Sequence, residues 1–145
     1  ALDESLARSL HLSLNWNVKI VRLFNTVGPR QSASYGMVIP RFVEAALTNK
    51  PLTVYGDGNQ QRVFCHIKDA IKGILALWDS KDGSGEAFNL GGFEETSINS
   101  LAERIIKITD SASKIEYLPY SDVAPGFDDI SRRVPSTSKL SNLTG

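Results

Sequence analysis

An α/β fold is predicted for this chain, on two observations. Apolar residues recur at helical spacing in several segments, as in Leu2, Leu6, Leu10 and Leu14. Between those segments stand short runs rich in β-branched residues, such as Val18 to Phe24, of the kind that fills a buried parallel sheet. With 145 residues, 41% of them apolar, the chain suits one domain or a piece of a larger one and excludes wholesale disorder. Sixteen Lys and Arg balance sixteen Asp and Glu, which argues against a nucleic-acid binder that neutralises many phosphates. A small anion held by two or three arginines stays open. The lone Cys65 makes no internal disulfide and cannot supply most of a metal site. No apolar run is long enough to span a membrane. The opening Ala1-Leu2-Asp3-Glu4 has neither an initiator Met nor a signal-like region, so a fragment from a soluble, reducing, cytoplasmic setting is expected.

Each element follows from its local pattern. The leucines at 2, 6, 10 and 14 predict a first helix, with Asp3 and Glu4 in its favourable first turn. Val18 to Phe24 predicts a strand, and Asn25 to Arg30 the loop at its carboxyl end, where open α/β sheets bind ligands. Gln31 to Gly36 reads as loop, and Ile39, Phe42, Val43, Ala46 and Leu47 as a helix that tolerates Pro40 in its first turn. Leu52 to Tyr55 and Arg62 to His66 predict two strands joined as a hairpin through Gly56-Asp57-Gly58-Asn59. Ile67, Ala70, Ile71, Ile74, Leu75 and Trp78 form a helical stripe and predict a helix. A strand at Ala87 to Leu90 precedes a helix through Ile98, Leu101, Ala102, Ile105 and Ile106, with Thr96 or Ser97 as its cap. Ile115 to Leu118 predicts a strand, 119 to 135 a long loop, and Lys139 to Leu143 a short last helix.

Few residues suggest chemistry on spacing alone. His11 and His66 lie far apart in sequence, and His66 suits a hydrogen-bonded structural role better than a metal. Cys65 and His66 are strand neighbours and face opposite ways, which disfavours a nucleophile–base pair. Gly56-x-Gly58 and Gly91-Gly92 complete no dinucleotide fingerprint and no Walker loop. Arg62, Arg132 and Arg133 have the planar, permanently charged donors that a diphosphate requires, although spacing alone favours solvated surface arginines.

Four segments in series resemble the extended short-chain dehydrogenases, specifically the NAD-dependent nucleotide-sugar epimerases, dehydratases and decarboxylases. These are RLFNTVGPRQ at 22–31, the stretch 38–77 around LTVYGDGNQQRVFCHIKD, FNLGGFEETSINSLAERI at 88–105, and DDISRRVPSTSKLSNLTG at 128–145. UDP-glucose 4-epimerase and UDP-glucuronate decarboxylase are the flavours most alike, with dTDP-glucose 4,6-dehydratase as a further relative. The glycine-rich fingerprint and the Tyr-x-x-x-Lys of the family are absent from this sequence. Val27 stands where an aromatic is usual, and Ser136 where an Asp is usual. The resemblance implies the C-terminal portion of such an enzyme. Residues 1–30 would be the terminal helix and strand of the dinucleotide-binding Rossmann sheet, and 31–145 the small α/β lobe that binds the nucleotide-sugar.

The resemblance also implies roles. Leu23 and Phe24 lie near the nicotinamide of NAD. Asn25 donates to the substrate diphosphate, and Arg30 approaches the sugar or its phosphates. Met37 and Val38 pack on the nucleotide. Thr53, Val54 and Tyr55 form the uracil-binding strand, with Tyr55 equally suited to plain packing. Arg62 and Arg133 hold the diphosphate, with Arg132 as the alternative to Arg133. No catalytic residue falls within the chain, so it should not turn over alone. The intact enzyme would bind a UDP-sugar and NAD, form a 4-keto sugar by hydride transfer, and exist as a homodimer. A free-standing nucleotide-sugar binding module and an interaction domain using apolar surface are the alternatives. Cut from a larger enzyme, residues 2 to 24 should present an exposed apolar face.

Overall fold

The computed structural model describes residues 2–32, 37–123 and 129–145. In chain order the elements are α1 (Leu2–Leu14), β1 (Ile20–Leu23), β2 (Thr26–Val27), α2 (Val38–Leu47), β3 (Leu52–Tyr55), β4 (Gln61–Val63), β5 (Cys65–His66) and α3 (Ile67–Asp79). There follow β6 (Ala87–Leu90), β7 (Glu95–Ser97), α4 (Ile98–Thr109), β8 (Ile115–Leu118), α5 (Tyr120–Val123), β9 (Arg132–Arg133) and α6 (Ser138–Thr144). They gather into two compact units: Ala1–Gly28 with Val63–Phe93 and Pro135–Gly145, and Pro29–Arg62 with Glu94–Val134. Strand pairing brings residues 63–93 to the first segment, because β6 aligns beside β1.

In the first unit β1 and β6 pair in parallel, Ile20 opposite Ala87 and Leu23 opposite Leu90, and β2 pairs in parallel with β5. The core consists of Cys65, Ala70, Leu77, Phe88, Leu90 and Leu140, with Val21 and Leu143 packed against it. The helix expected from the apolar stripe is α3, and its apolar residues divide between buried and exposed. Ala70 and Leu77 are its buried residues, whereas Ile71, Ile74, Leu75 and Trp78 are exposed, Trp78 by 80%. The side with small residues is the one that approaches the core: a Cβ on Gly73 would meet the Leu90 side chain at 2.7 Å. Lys19 Nζ closes the far end of α3 by donating to the carbonyls of Leu77 and Ser80, two groups a helix terminus leaves unpaired. On α1 no described residue is buried, and Leu2, Leu6, Leu12, Leu14, Trp16 and Leu23 are exposed, as the expected apolar face over 2–24 requires.

In the second unit β3 pairs in parallel with β8, Leu52 opposite Ile115 and Tyr55 opposite Leu118. Strand β4 lies between β7 and β9 in a separate sheet. The hairpin expected between β3 and β4 is thus absent. The turn between them is docked on α4 instead: Asn99 Nδ2 donates to the Asp57 carbonyl at 2.9 Å and Asn99 N to the Gly58 carbonyl at 3.0 Å. Gly56 and Gly58 have φ of +70° and +73°, and a Cβ on Gly58 would collide with the Asn99 side chain. Ser97 caps α4 by accepting from Ser100 N at 3.1 Å. Phe42, Ala46, Leu52, Val54, Ile98, Leu101, Ala102 and Ile105 are buried. The expected long loop over 119–135 contains α5 and β9, while 124–128 lie outside the described residues, as do 33–36 of the loop expected at 31–36. Among the described residues no helix is long and apolar enough to cross a membrane.

Candidate functional site

In the first unit the three expected residues follow one another at the carboxyl end of β1. Leu23 is the last residue of the strand and 53% exposed, leaving an apolar surface beside that end. Phe24 continues the ladder, its N–H donating to the Leu90 carbonyl at 2.9 Å. Asn25 then takes a left-handed φ of +41°, a conformation asparagine tolerates better than most residues. Its Nδ2 donates to the Val63 carbonyl at 2.8 Å, and its own carbonyl accepts from Cys65 N at 3.1 Å. An amide nitrogen carries two hydrogens, so anchoring Asn25 leaves one donor for an anion.

Strand alternation explains the face in the second unit. Leu52 and Val54 are fully buried, while Thr53 and Tyr55 are half-buried on the opposite side of β3. Val38 is the first residue of α2, half-buried, and Met37 precedes it as the cap residue. One turn into α2, Arg41 donates from Nη2 to the Tyr55 hydroxyl at 2.7 Å, and its guanidinium carbon lies 4.8 Å from the centre of the Tyr55 ring. The ring of Tyr120 stands 6.3 Å from that of Tyr55, tilted by 55°. Packing and a base-stacking face are both available to Tyr55 in this setting.

The arginines are where charge concentrates. Arg62 on β4 and Arg133 on β9 are register partners across a parallel pair. Arg62 Nη1 donates to the carbonyls of Gln61 at 2.9 Å and Ile130 at 2.8 Å. Its Nη2 reaches both oxygens of Asp129, at 2.7 and 2.8 Å. Tyr120 donates its hydroxyl to Asp129 Oδ2 at 2.5 Å, and Gln60 Nε2 donates to the Tyr120 oxygen and to the Tyr55 carbonyl, each at 3.0 Å. Burial, then the hydrogen bond to the Asp129 carboxylate, push the Tyr120 phenol up to about 12. It therefore stays protonated and keeps donating at ordinary pH.

Arg132 and Arg133 now separate. Arg132 is clamped to both oxygens of Glu95 at 2.8 Å, and that hydrogen bond holds the Glu95 carboxyl below its usual range. Arg133 makes no hydrogen bond or ion pair among the described residues. The structure thus gathers Thr53, Tyr55, Val38, Arg62 and Arg133 in one unit and Leu23, Phe24 and Asn25 in the other. Sequence reasoning passed over Arg41, Gln60, Tyr120 and Asp129. Arg41 follows Ile39-Pro40 on a helix and carried a usable signal as a cation beside an apolar stripe. Asp129 is 67 residues from Arg62 and carried none.

The remaining candidates have structural places. Cys65 is buried and its thiol is pushed up by desolvation. His66 is exposed and caps α3, its Nδ1 accepting from Lys68 N at 3.2 Å. His11 is hydrogen-bonded through Nδ1 with the Trp16 carbonyl and the Ser84 hydroxyl. Arg30 is exposed, with φ +67°. Among the described residues no three of His, Cys, Asp and Glu gather as a metal site.

Comparison with known proteins adds a family. The model of the NAD dependent epimerase/dehydratase family matches residues 2–91. A UDP-N-acetyl-alpha-D-glucosaminuronate decarboxylase from Bacillus cytotoxicus is 44% identical over 128 residues, 87% of this chain and 40% of the relative. UDP-glucuronic acid decarboxylase 4 from Arabidopsis thaliana is 37% identical over 142 residues, 98% of this chain and 30% of the relative. Among solved structures, a UDP-N-acetylglucosamine 4-epimerase from Methanobrevibacter ruminantium M1 in complex with UDP-N-acetylmuramic acid matches with a TM-score of 0.87 at 30% identity. That match covers 98% of this chain and 44% of that one. A UDP-glucuronic acid 4-epimerase from Bacillus cereus, with UDP-glucuronic acid and NAD, matches with a TM-score of 0.84 at 31% identity, over 97% of this chain and 43% of that one. The chain therefore spans less than half the length of these relatives, and its α/β architecture is the Rossmann-like one they share.

Proposed function

This chain belongs to the NAD-dependent epimerase/dehydratase family, and from that premise we propose that it forms the nucleotide-anchoring part of an enzyme acting on a UDP-sugar. The observation that carries this reading is the register pairing of Arg62 with Arg133, which sets two guanidinium groups on one face of a sheet. Arg133, unpaired among the described residues, contributes the net positive charge, since Arg62 is already balanced by Asp129. In the same unit Thr53 and Tyr55 contribute a strand face for the uracil and Val38 an apolar contact, while Asn25, in the first unit, has a neutral donor to offer. Binding energy from the nucleotide then orients a sugar that reacts elsewhere.

The residues at the carboxyl end of β1 fit NAD in one respect: Leu23 offers exposed apolar surface for a planar ring. Bound NAD would accept hydride as the sugar is oxidised to its 4-keto form. Two reactions can follow. Epimerisation at C4 is the first reading, supported by the fold shared with 4-epimerases. Decarboxylation of a UDP-uronic acid is the second, supported by the 44% identity to a UDP-N-acetyl-alpha-D-glucosaminuronate decarboxylase. The same proposal includes a homodimer of the intact enzyme, and the exposed leucines of α1 support a face that another surface covers. Calorimetric titration with UDP tests the anchor. Binding that disappears in Arg62→Ala is expected, and unchanged heat in that variant refutes the assignment. Supplying UDP-glucuronic acid and NAD to the full-length enzyme separates the reactions by release of carbon dioxide.

A further inference from the structure

The most connected polar cluster in the second unit is centred on a carboxylate that no motif singled out. Asp129 receives both Nη2 bonds of Arg62 and the hydroxyl of Tyr120. Tyr120 is in turn held by Gln60, which is tied to the last carbonyl of β3. The Arg62 and Asp129 side chains are only 13% and 20% exposed, so the pair is shielded from water on most sides. A guanidinium has a rigid fork of N–H donors. The Nη1 and Nη2 donors of Arg62 are committed to Gln61, Ile130 and Asp129, and Nε makes no hydrogen bond among the described residues.

We infer that Asp129 is a positioning residue for the diphosphate site: its carboxylate, steadied by Tyr120, fixes the Arg62 guanidinium so that the Nε–H is presented to the anion beside Arg133. This rests on the reading of Arg62 and Arg133 as diphosphate ligands. A free arginine would surrender several rotatable bonds on binding an anion, and one already locked by a carboxylate has little left to lose. Charge and orientation are divided between the two partners. The Arg62–Asp129 pair is neutral and supplies geometry, while Arg133 supplies attraction.

The test measures UDP by calorimetry and uridine by ligand-observed NMR on the full chain. Asp129→Asn should weaken UDP about 5–10-fold and leave uridine within about twofold, because only the phosphates use Arg62. Tyr120→Phe should move UDP in the same direction by about 2–3-fold, through a single lost hydrogen bond. Three results overturn the inference: unchanged UDP affinity in Asp129→Asn, tighter UDP binding, which would make Asp129 a competitor of the anion, or equal loss for UDP and uridine. Arg62→Ala with normal UDP affinity would instead remove the diphosphate reading itself, and is seen separately.

Discussion

Arg62 and Arg133 are partners in register on adjacent parallel strands, and their side chains rise from the same face of the sheet. They come from segments 71 positions apart in number, and the pairing of β4 with β9 is what joins them.

Arg133→Ala should lower UDP affinity by about 10-fold or more, the equivalent of about 1.5–3 kcal/mol for a lost charge-assisted contact. Arg132→Ala should leave it within about twofold, because that guanidinium is engaged by Glu95. Isothermal calorimetry on the two variants checks the order, and a larger loss for Arg132→Ala would exchange their roles.

Arg62→Ala should weaken UDP more than Lys50→Ala. Lys50 is exposed between α2 and β3, while Arg62 is partly buried and hydrogen-bonded. Equal effects in the same calorimetric assay would mean that only overall charge matters.

Gly58→Ala should destabilise the protein by about 2 kcal/mol or more, since the new Cβ meets the Asn99 side chain at a left-handed backbone position. Thermal unfolding measures it. Ser97→Ala should cost about 1 kcal/mol in the same experiment by removing the cap of α4.

Alkaline stability should depend on Tyr120. Its phenol is raised to about 12 in the folded chain, against an ordinary value near 10. Between those values the unfolded chain has released this proton and the folded chain retains it. The stability contributed by the protonated phenol is thus complete below about pH 10 and lost as pH rises toward about 12. Tyr120→Phe should show a shallower loss over that window in denaturant titrations. An identical slope in both proteins would contradict the shift.

Most elements were legible from local pattern, and the exceptions have physical causes. Strands such as Leu52–Tyr55 and Ala87–Leu90 are bounded by turn residues and match their expected limits. On α3 the helix is legible but its core side is not, because small residues define it: Ala70 and Gly73 lie on the side that approaches Leu90, while Ile71, Ile74, Leu75 and Trp78 are exposed. The β3–β4 hairpin misled because a two-glycine turn looks alike whether it closes a hairpin or docks on Asn99. In the site, the arginines were visible as residue types. Asp129 was invisible because an ion pair across 67 positions leaves no periodicity.

The interleaving of the two units sets an order of completion during synthesis. The second unit draws on residues up to Val134, so a growing polypeptide holds all of it before residues 135–145 have been made. The first unit must wait for Leu140, which fills the space between Ala70, Leu77, Phe88 and Leu90. On the ribosome the part carrying Arg62 and Arg133 is whole before the part carrying Asn25, which waits for Leu140.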